Sequence, residues 1–253
     1  MPQAERLALV ADHLGISRER IACLDHHSCH AAAAYFGSPY RGRPALVLTN
    51  DNSGDGLCAT ASSAAGHALT RHEASRSAPG SLGAFYSFVT LYLGMKFGEH
   101  EYKVMGLAPY AAAAGRERAY RALKELFDLV EEIPCRFQWK KPGERYQLLL
   151  SHCLGLRFDW VAGGAQQLLE EALLRWVRLA QGRYGGRRLA RGGGVFMNVK
   201  ANMLIAQEPG VEELFVFPSC GDESNAVGAA YLTYLDECGL RGLSANLEPF
   251  GPA

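Results

Sequence analysis

The last third of the chain alternates between strand-like and helix-like segments, and this order restricts the fold more than any other feature. Strands are predicted at 188–190 and 214–217, and helices near 198–206 and from about 224 to 236. Two strands joined through a helix pair in parallel, because the crossover returns the chain to the same end of the sheet. The order therefore predicts an α/β fold with a mainly parallel sheet covered by helices.

The composition indicates a globular chain with a substantial core. Of its 253 residues, 48% are hydrophobic, and Lys plus Arg equals Asp plus Glu at 26 each. This balance is unlike the basic surface of a nucleic-acid-binding protein, so no nucleic-acid partner is expected. The seven cysteines include no C-x-x-C pair, and no apolar run reaches membrane-spanning length. A cytoplasmic location without membrane association is therefore expected.

The segment 24–35, LDHHSCHAAAAY, carries a candidate metal-binding pair. The apolar residues 21–24 predict a short buried strand, and the Ala-rich run predicts a helix that follows it. On such a helix, His26 and His30 share one face, so both imidazoles can bind one ion. The alternative is that the histidines cap the helix or fill the core, because zinc and iron need three or more ligands.

Two glycine-rich turns are candidate phosphate-binding elements. One is DNSGDG at 51–56, between two strand-like runs that predict a hairpin, and the other is GGGVFMN at 192–198. Small residues let backbone N–H groups approach a phosphate, and the carboxylates of the first turn can hold a hydrated cation. Taken alone, each turn is also what an ordinary chain reversal or connector needs.

Five strings together resemble the O-carbamoyltransferases of the NodU/CmcH type, which act on Nod factors and antibiotics. In chain order they are HH-x-x-HAA from His26, D-x-x-GDG from Asp51, EYKVMGLAPY from Glu101, GGVFMNVKAN from Gly193 and GDESNAVGAA from Gly221. The resemblance runs from about residue 20 to 236. It implies an actin-like ATPase fold with an RNase H-like lobe, whose mixed sheet is flanked by helices. It also implies a relation to the universal threonylcarbamoyl-transferase of transfer RNA.

The resemblance assigns roles to residues of this sequence. His26, His30 and Asp222 match the metal ligands, a 2-His-1-carboxylate set that fits Fe²⁺ or Zn²⁺. Lys103 lies in the most specific string, where a cation would stabilise negative charge on the carbamoyl oxygen or the leaving phosphate; the alternative is a surface lysine. The residues matching the site of ATP or carbamoyl-adenylate, with Mg²⁺ as a further candidate ion, are Asp51, Ser53, Gly54, Asp55, Gly56, Gly193, Gly194 and Asn198.

The same resemblance predicts a domain division. Residues 1–40 would be the remnant of an incomplete first lobe, 41–238 a second lobe with a largely helical insertion at about 83–184, and 239–253 a C-terminal tail. The family's first-lobe hairpin and its YrdC-type domain, which makes carbamoyl-adenylate, are not in this sequence. The isolated chain is therefore expected to have little activity with carbamoyl phosphate and ATP. The unpaired strand at 21–24 would favour a homodimer or a hetero-complex.

The implied reaction is transfer of a carbamoyl group from carbamoyl-adenylate to a hydroxyl group of a small molecule. Carbamoyl phosphate would enter through an adenylate-forming domain or partner. One alternative is a nucleotide- and metal-binding subunit that is inactive without such a partner. Another is a protein similar to the transfer-RNA threonylcarbamoyl-transferase, which the neutral charge and the EYKVMGLAPY string disfavour.

Overall fold

A computed structural model describes residues 3–78, 80–130, 136–141 and 143–240. The strands are β1 (Ala45–Gly54), β2 (Leu57–Ala65), β3 (Ala68–Arg76), β4 (Phe127–Val130), β5 (Arg136–Trp139), β6 (Arg188–Gly192) and β7 (Glu213–Val216). Five of them form one mixed sheet in the order β3-β2-β1-β6-β7. β1, β6 and β7 run parallel, while β2 and β3 continue the sheet as antiparallel strands. β4 and β5 form a separate antiparallel hairpin.

The described residues form nine α-helices, some of which cover the two faces of this sheet. They are α1 (Gln3–Leu14), α2 (His26–Phe36), α3 (Leu82–Tyr92), α4 (Glu101–Leu107), α5 (Ala113–Lys124), α6 (Arg145–Cys153), α7 (Phe158–Tyr184), α8 (Val199–Ala206) and α9 (Ser224–Glu237). The strand-helix alternation predicted for the last third is confirmed, with α8 as the crossover between the parallel strands β6 and β7.

The side chains of β1 alternate between two layers of the core, one on each face of the sheet. Leu46 and Leu48 belong to the large cluster that includes α3 and α7, whereas Val47 belongs to the cluster of α2 and α9. Successive side chains of a strand point to opposite faces, so a run of apolar residues is needed where both faces are covered. The helix α2 therefore packs on the same sheet that contains β1 and β6. The predicted division of the chain into lobes stays a prediction.

The structure corrects two local predictions. Residues 21–24 form no strand: they connect a short 3-10 turn at Arg18–Arg20 to α2, and Ala22 and Cys23 are exposed. No described strand lies beside these residues. The expectation of a homodimer or hetero-complex therefore can no longer rest on an unpaired strand at 21–24. The first hairpin turns at Asp55 and Gly56 alone, both with positive φ, because β1 continues through Gly54.

Other parts of the prediction were incomplete or lie outside the described residues. The sequence interpretation missed β3 and the β4–β5 hairpin, although the region 83–184 is mostly helical as predicted. Residues 241–253 of the predicted C-terminal tail are not among those described. No helix in the described part of the chain is both long and apolar enough to cross a membrane.

Candidate metal centre

The N-terminus of α2 fixes the position of both candidate histidines. Asp25 caps the helix, because its Oδ1 accepts a hydrogen bond of 2.7 Å from the backbone N–H of Ser28. His26 is the first residue of the helix, and Asp55 accepts a 2.9 Å hydrogen bond from its backbone N–H. The helix is thus held against the end of the β1–β2 hairpin.

Four side chains converge beyond this helix terminus. His26 Nε2 lies 3.0 Å from His30 Nε2 and 3.1 Å from Asp51 Oδ2. His30 Nε2 lies 3.4 Å from the same Asp51 oxygen. Asp222 Oδ1 lies 3.5 Å from His26 Nε2 and 3.7 Å from His30 Nε2. One donor atom from each of the four residues lies within 4.8 Å of every other.

The charges in this cluster act on one another. Burial disfavours the ionised form of Asp51, but hydrogen bonds from His26 and His30 hold the pKa of that carboxyl well below its usual range. The hydrogen bond to Asp51 raises the pKa of His26 against the effect of partial burial. Partial desolvation, together with the negative charge of Asp51, raises the pKa of Asp222. Two carboxylates facing one point compete for the same positive charge.

This donor set fits a divalent transition metal. Two imidazoles and two carboxylates are ligands that suit iron(II) or zinc, and all four present donor atoms to one point. A cation there would replace the imidazolium charge that otherwise compensates the carboxylates. The three residues predicted as ligands are therefore brought together, and Asp51 is a fourth donor. Binding of a metal by these residues stays a prediction.

The outer nitrogens of both imidazoles face α9. His30 Nδ1 lies 2.9 Å from Ser224 Oγ in a buried contact. His26 Nδ1 lies 3.2 Å from the Asn225 amide, whose Oδ1 has no hydrogen-bond partner among the described residues. Turning that amide would let its oxygen accept a hydrogen bond from an Nδ1–H group. Such contacts leave Nε2 free to bind a metal.

His27 has a different role from its two neighbours. Its ring is buried and its Nδ1 lies 2.8 Å from Thr49 Oγ1 on the sheet. Burial lowers the pKa of His27 to about 4. His27 is therefore a neutral core residue. At this one position the structure agrees with the alternative to metal binding, in which the histidines fill the core.

A cleft with a volume of about 650 Å³ opens beside the cluster. Both glycine-rich segments line it, the first through Asp51, Asn52 and Ser53 at the end of β1, and the second through Gly194, Val195, Met197 and Asn198. The two segments meet where the Gly194 N–H donates a 3.3 Å hydrogen bond to Asp51 Oδ1. This junction lies at the carboxyl ends of the parallel strands β1 and β6, where ligands commonly bind in α/β sheets.

Several predicted nucleotide-binding residues contact the protein instead of lining the cleft. Gly54 packs on the His26 ring so closely that a Cβ atom would lie 2.1 Å from it. Asp55 and Gly56 form the tight hairpin turn. Gly193 has a φ of 96° and packs against Asn50, where a Cβ atom would lie 2.3 Å from the carbonyl oxygen. These residues shape the site, and a direct contact with nucleotide stays a prediction.

Asn198 and Lys103 differ in how the structure holds them. Asn198 caps α8 and exchanges two hydrogen bonds with the buried Gln166, of 2.9 and 3.0 Å, at the edge of the cleft. Lys103 is exposed on α4 and does not line the cleft, whereas Glu101, Tyr102 and Met105 of the same helix do. The geometry adds no support to a catalytic role for Lys103, which stays a prediction.

Asp51, Ser224 and Asn225 were missed as parts of the candidate metal centre. A signal for Asp51 was present in the alternation of β1. Every second residue of a strand points to the same face of the sheet. Because Val47 and Thr49 face α2, Asp51 should face α2 as well. No comparable signal exists for Ser224 and Asn225, because their contact with the imidazoles depends on how α9 crosses α2.

Comparison with known proteins gives one family and several relatives. A family model described as the carbamoyltransferase N-terminus matches residues 4–231. The uncharacterized protein sll1178 of Synechocystis sp. is 31% identical over 81% of this chain and 35% of its own length. The nodulation protein NolO of Bradyrhizobium diazoefficiens is 29% identical over 83% of this chain and 38% of its own length. The chain thus spans a little over a third of these relatives.

The solved structures support the predicted fold. The crystal structure of HypF from T. kodakarensis superposes with a TM-score of 0.52 at 16% identity, covering 94% of this chain and 39% of that one. At this identity the likeness shows the fold alone. The mixed five-stranded sheet flanked by helices agrees with the predicted α/β class. The actin-like ATPase type and the incomplete first lobe stay predictions.

Proposed function

Because the chain belongs to the carbamoyltransferase N-terminal family, we propose that it transfers a carbamoyl group from carbamoyl-adenylate to a hydroxyl group of a small molecule. The observation that carries this proposal is the convergence of four potential metal-ligand side chains at the edge of a cleft of about 650 Å³, between the end of β1 and the Gly194–Met197 turn. Metal ligands and a nucleotide-sized cavity are the two features that an adenylate-dependent group transfer at a metal centre requires.

His26, His30, Asp51 and Asp222 would hold the metal. When bound, a divalent ion supplies a Lewis acid that polarises the carbamoyl group. Ser224 and Asn225 would orient the imidazoles through their Nδ1 atoms. The turn that contains Gly194 and Asn198 would lie under the adenosine, since both residues line the cleft.

The test supplies freshly prepared carbamoyl-adenylate to the metal-loaded chain with a panel of hydroxyl compounds. Release of AMP that depends on an acceptor, with carbamoylated acceptor detected by mass spectrometry, is the expected result. Asp222→Asn keeps the shape of an exposed side chain and removes its charge, so it should abolish transfer without unfolding the protein. Asp12→Asn, on the exposed side of α1, is the matched control and should transfer at the wild-type rate.

A second candidate function is a nucleotide- and metal-binding subunit that acts only within a larger assembly. It is favoured by the lining of the cleft, since no Lys or Arg is among the described residues there to stabilise a leaving phosphate. Binding of metal and adenine nucleotide without acceptor-dependent AMP release would support this candidate. Equal transfer by wild type and Asp222→Asn would contradict the proposed role of the metal centre.

A further inference from the structure

Arg191 is a buried cation to which the described part of the chain offers no hydrogen bond. It lies on β6, one residue before the first glycine of the second turn, and it is fully buried. All three nitrogens of its guanidinium lack a partner among the residues that the structure describes. Burial lowers the pKa of Arg191 to about 9, so the group is still charged at neutral pH. Among the described residues, the Phe196 ring offsets part of the cost of burying this charge through a cation–π contact, while no carboxylate pairs with the guanidinium.

The guanidinium lies behind the wall of the cleft. Its carbon is 4.9 Å from the centre of the Phe196 ring, in the short 3-10 turn Gly194–Met197. The neighbours of Phe196 in that turn, Val195 and Met197, line the cleft. The turn that packs against the guanidinium therefore also forms part of the cleft wall.

The cleft itself is acidic. Its lining contains five carboxylates, from Asp51, Glu99, Glu101, Asp222 and Glu223, and no described lining residue is Lys or Arg. A phosphate in such a cleft needs positive charge from elsewhere. The metal centre would supply part of it, and Arg191 is a positive charge already fixed beneath the turn.

We propose that Arg191 is a specificity-determining residue that favours ligands carrying phosphate in this cleft, acting through space from beneath the Gly194–Met197 turn. The inference rests on the proposed function in taking the ligand to be an adenine nucleotide. A buried charge behind the cleft wall should change the affinity for a phosphate-bearing ligand by roughly tenfold or more, because buried charges are only weakly screened by water and salt. A ligand without charge should gain nothing from it.

The experiment compares ATP, AMP and adenosine as ligands of the metal-loaded chain by calorimetry, in excess Mg²⁺. In Arg191→Met, which keeps the length of the side chain and removes the charge, ATP should bind about tenfold more weakly and adenosine as in wild type. Arg191→Lys keeps a charge and should recover most of the ATP affinity. Arg188→Met, on the same strand but paired with Glu213 at the surface, is the control for net charge and should leave both affinities unchanged.

Stability separates this role from a structural one. Removing a buried charge that no carboxylate pairs with should leave Arg191→Met at least as stable as wild type in thermal unfolding, since the methionine side chain can still pack against the Phe196 ring. Unchanged ATP binding in this variant, or equal losses for ATP and adenosine, would overturn the inference. Inorganic pyrophosphate with excess Mg²⁺ is the second probe and should raise the melting temperature of wild type more than that of Arg191→Met. If pyrophosphate stabilised wild type in this way but ATP did not bind, the proposed nucleotide function would be contradicted and the role of Arg191 toward phosphate would stand.

Discussion

At the scale of single residues, the orientation of two imidazole rings defines the candidate centre. Each ring directs Nε2 toward the Asp51 and Asp222 carboxylates and Nδ1 toward α9. A metal ligand of this kind works only if its other nitrogen keeps the proton, so the group that accepts that proton's hydrogen bond selects the tautomer. Ser224 Oγ is placed to do this for His30, at 2.9 Å and buried from solvent.

Replacing Ser224 by Ala should therefore weaken metal binding about tenfold, since loss of such an outer contact typically costs ten- to a hundredfold in affinity. Competition with a chromophoric chelator at fixed pH measures the effect. Ser224→Thr keeps the hydroxyl and should restore most of the affinity. Ser151→Ala removes a hydroxyl from α6, far from the histidines in sequence, and should have no effect. Equal affinities for wild type and Ser224→Ala would contradict the orienting role.

At the scale of elements, the centre depends on a close crossing of α2 and α9. The run Ala31–Ala34 is buried, and Gly228 faces the backbone of α2 without a side chain between them. A Cβ atom at Gly228 would lie 1.8 Å from the carbonyl oxygen of Cys29. This close approach is what brings Ser224 and Asn225, one turn earlier on α9, to the histidines.

Gly228→Ala should thus separate the two helices, cost about 3 kcal/mol of unfolding free energy through overpacking and weaken metal binding. Gly182→Ala is the matched control, because Gly182 lies in α7 with no atom within 4 Å of the added Cβ. There the higher helix propensity of alanine should stabilise the protein by about 0.5–1 kcal/mol. Chemical denaturation of both variants, followed by metal titration, provides the measurement. A Gly228→Ala protein as stable as wild type would refute the crossing argument.

The sequence predicted those elements whose signals are local. Helix α2, the parallel pair β6–β7 and helix α9 follow from apolar spacing, capping residues and chain order, and all three are confirmed. Residues 21–24 have the composition of a strand, but none of the strands in the described ranges lies beside them, and pairing is a property of the tertiary structure. The candidate centre was predicted only in part, because some of its contacts also depend on the tertiary structure. His26 and His30 are a local pattern, whereas their contacts with α9 depend on helix packing.

At the scale of the whole molecule, the candidate centre joins parts of the chain that are far apart in sequence. Its donors come from α2, from β1 and from the loop before α9, so residues 26 and 222 meet only in the folded state. The unfolded chain cannot present these groups together. A metal that binds the native state preferentially must therefore stabilise the fold by linkage.

Metal at about a hundred times its dissociation constant should stabilise the chain by about 2.7 kcal/mol, which corresponds to a rise in melting temperature of roughly 5–10 °C for a chain of this size. Scanning calorimetry of the Zn²⁺-loaded and EDTA-treated protein measures the difference. Asp222→Asn removes one donor and should show a smaller rise, while Asp12→Asn should respond as wild type does. A metal that bridges α2, β1 and the loop before α9 holds these elements together, so its removal should lower the melting temperature. If elemental analysis showed that the protein contains metal, and EDTA treatment left the melting temperature unchanged, the ion would lie elsewhere.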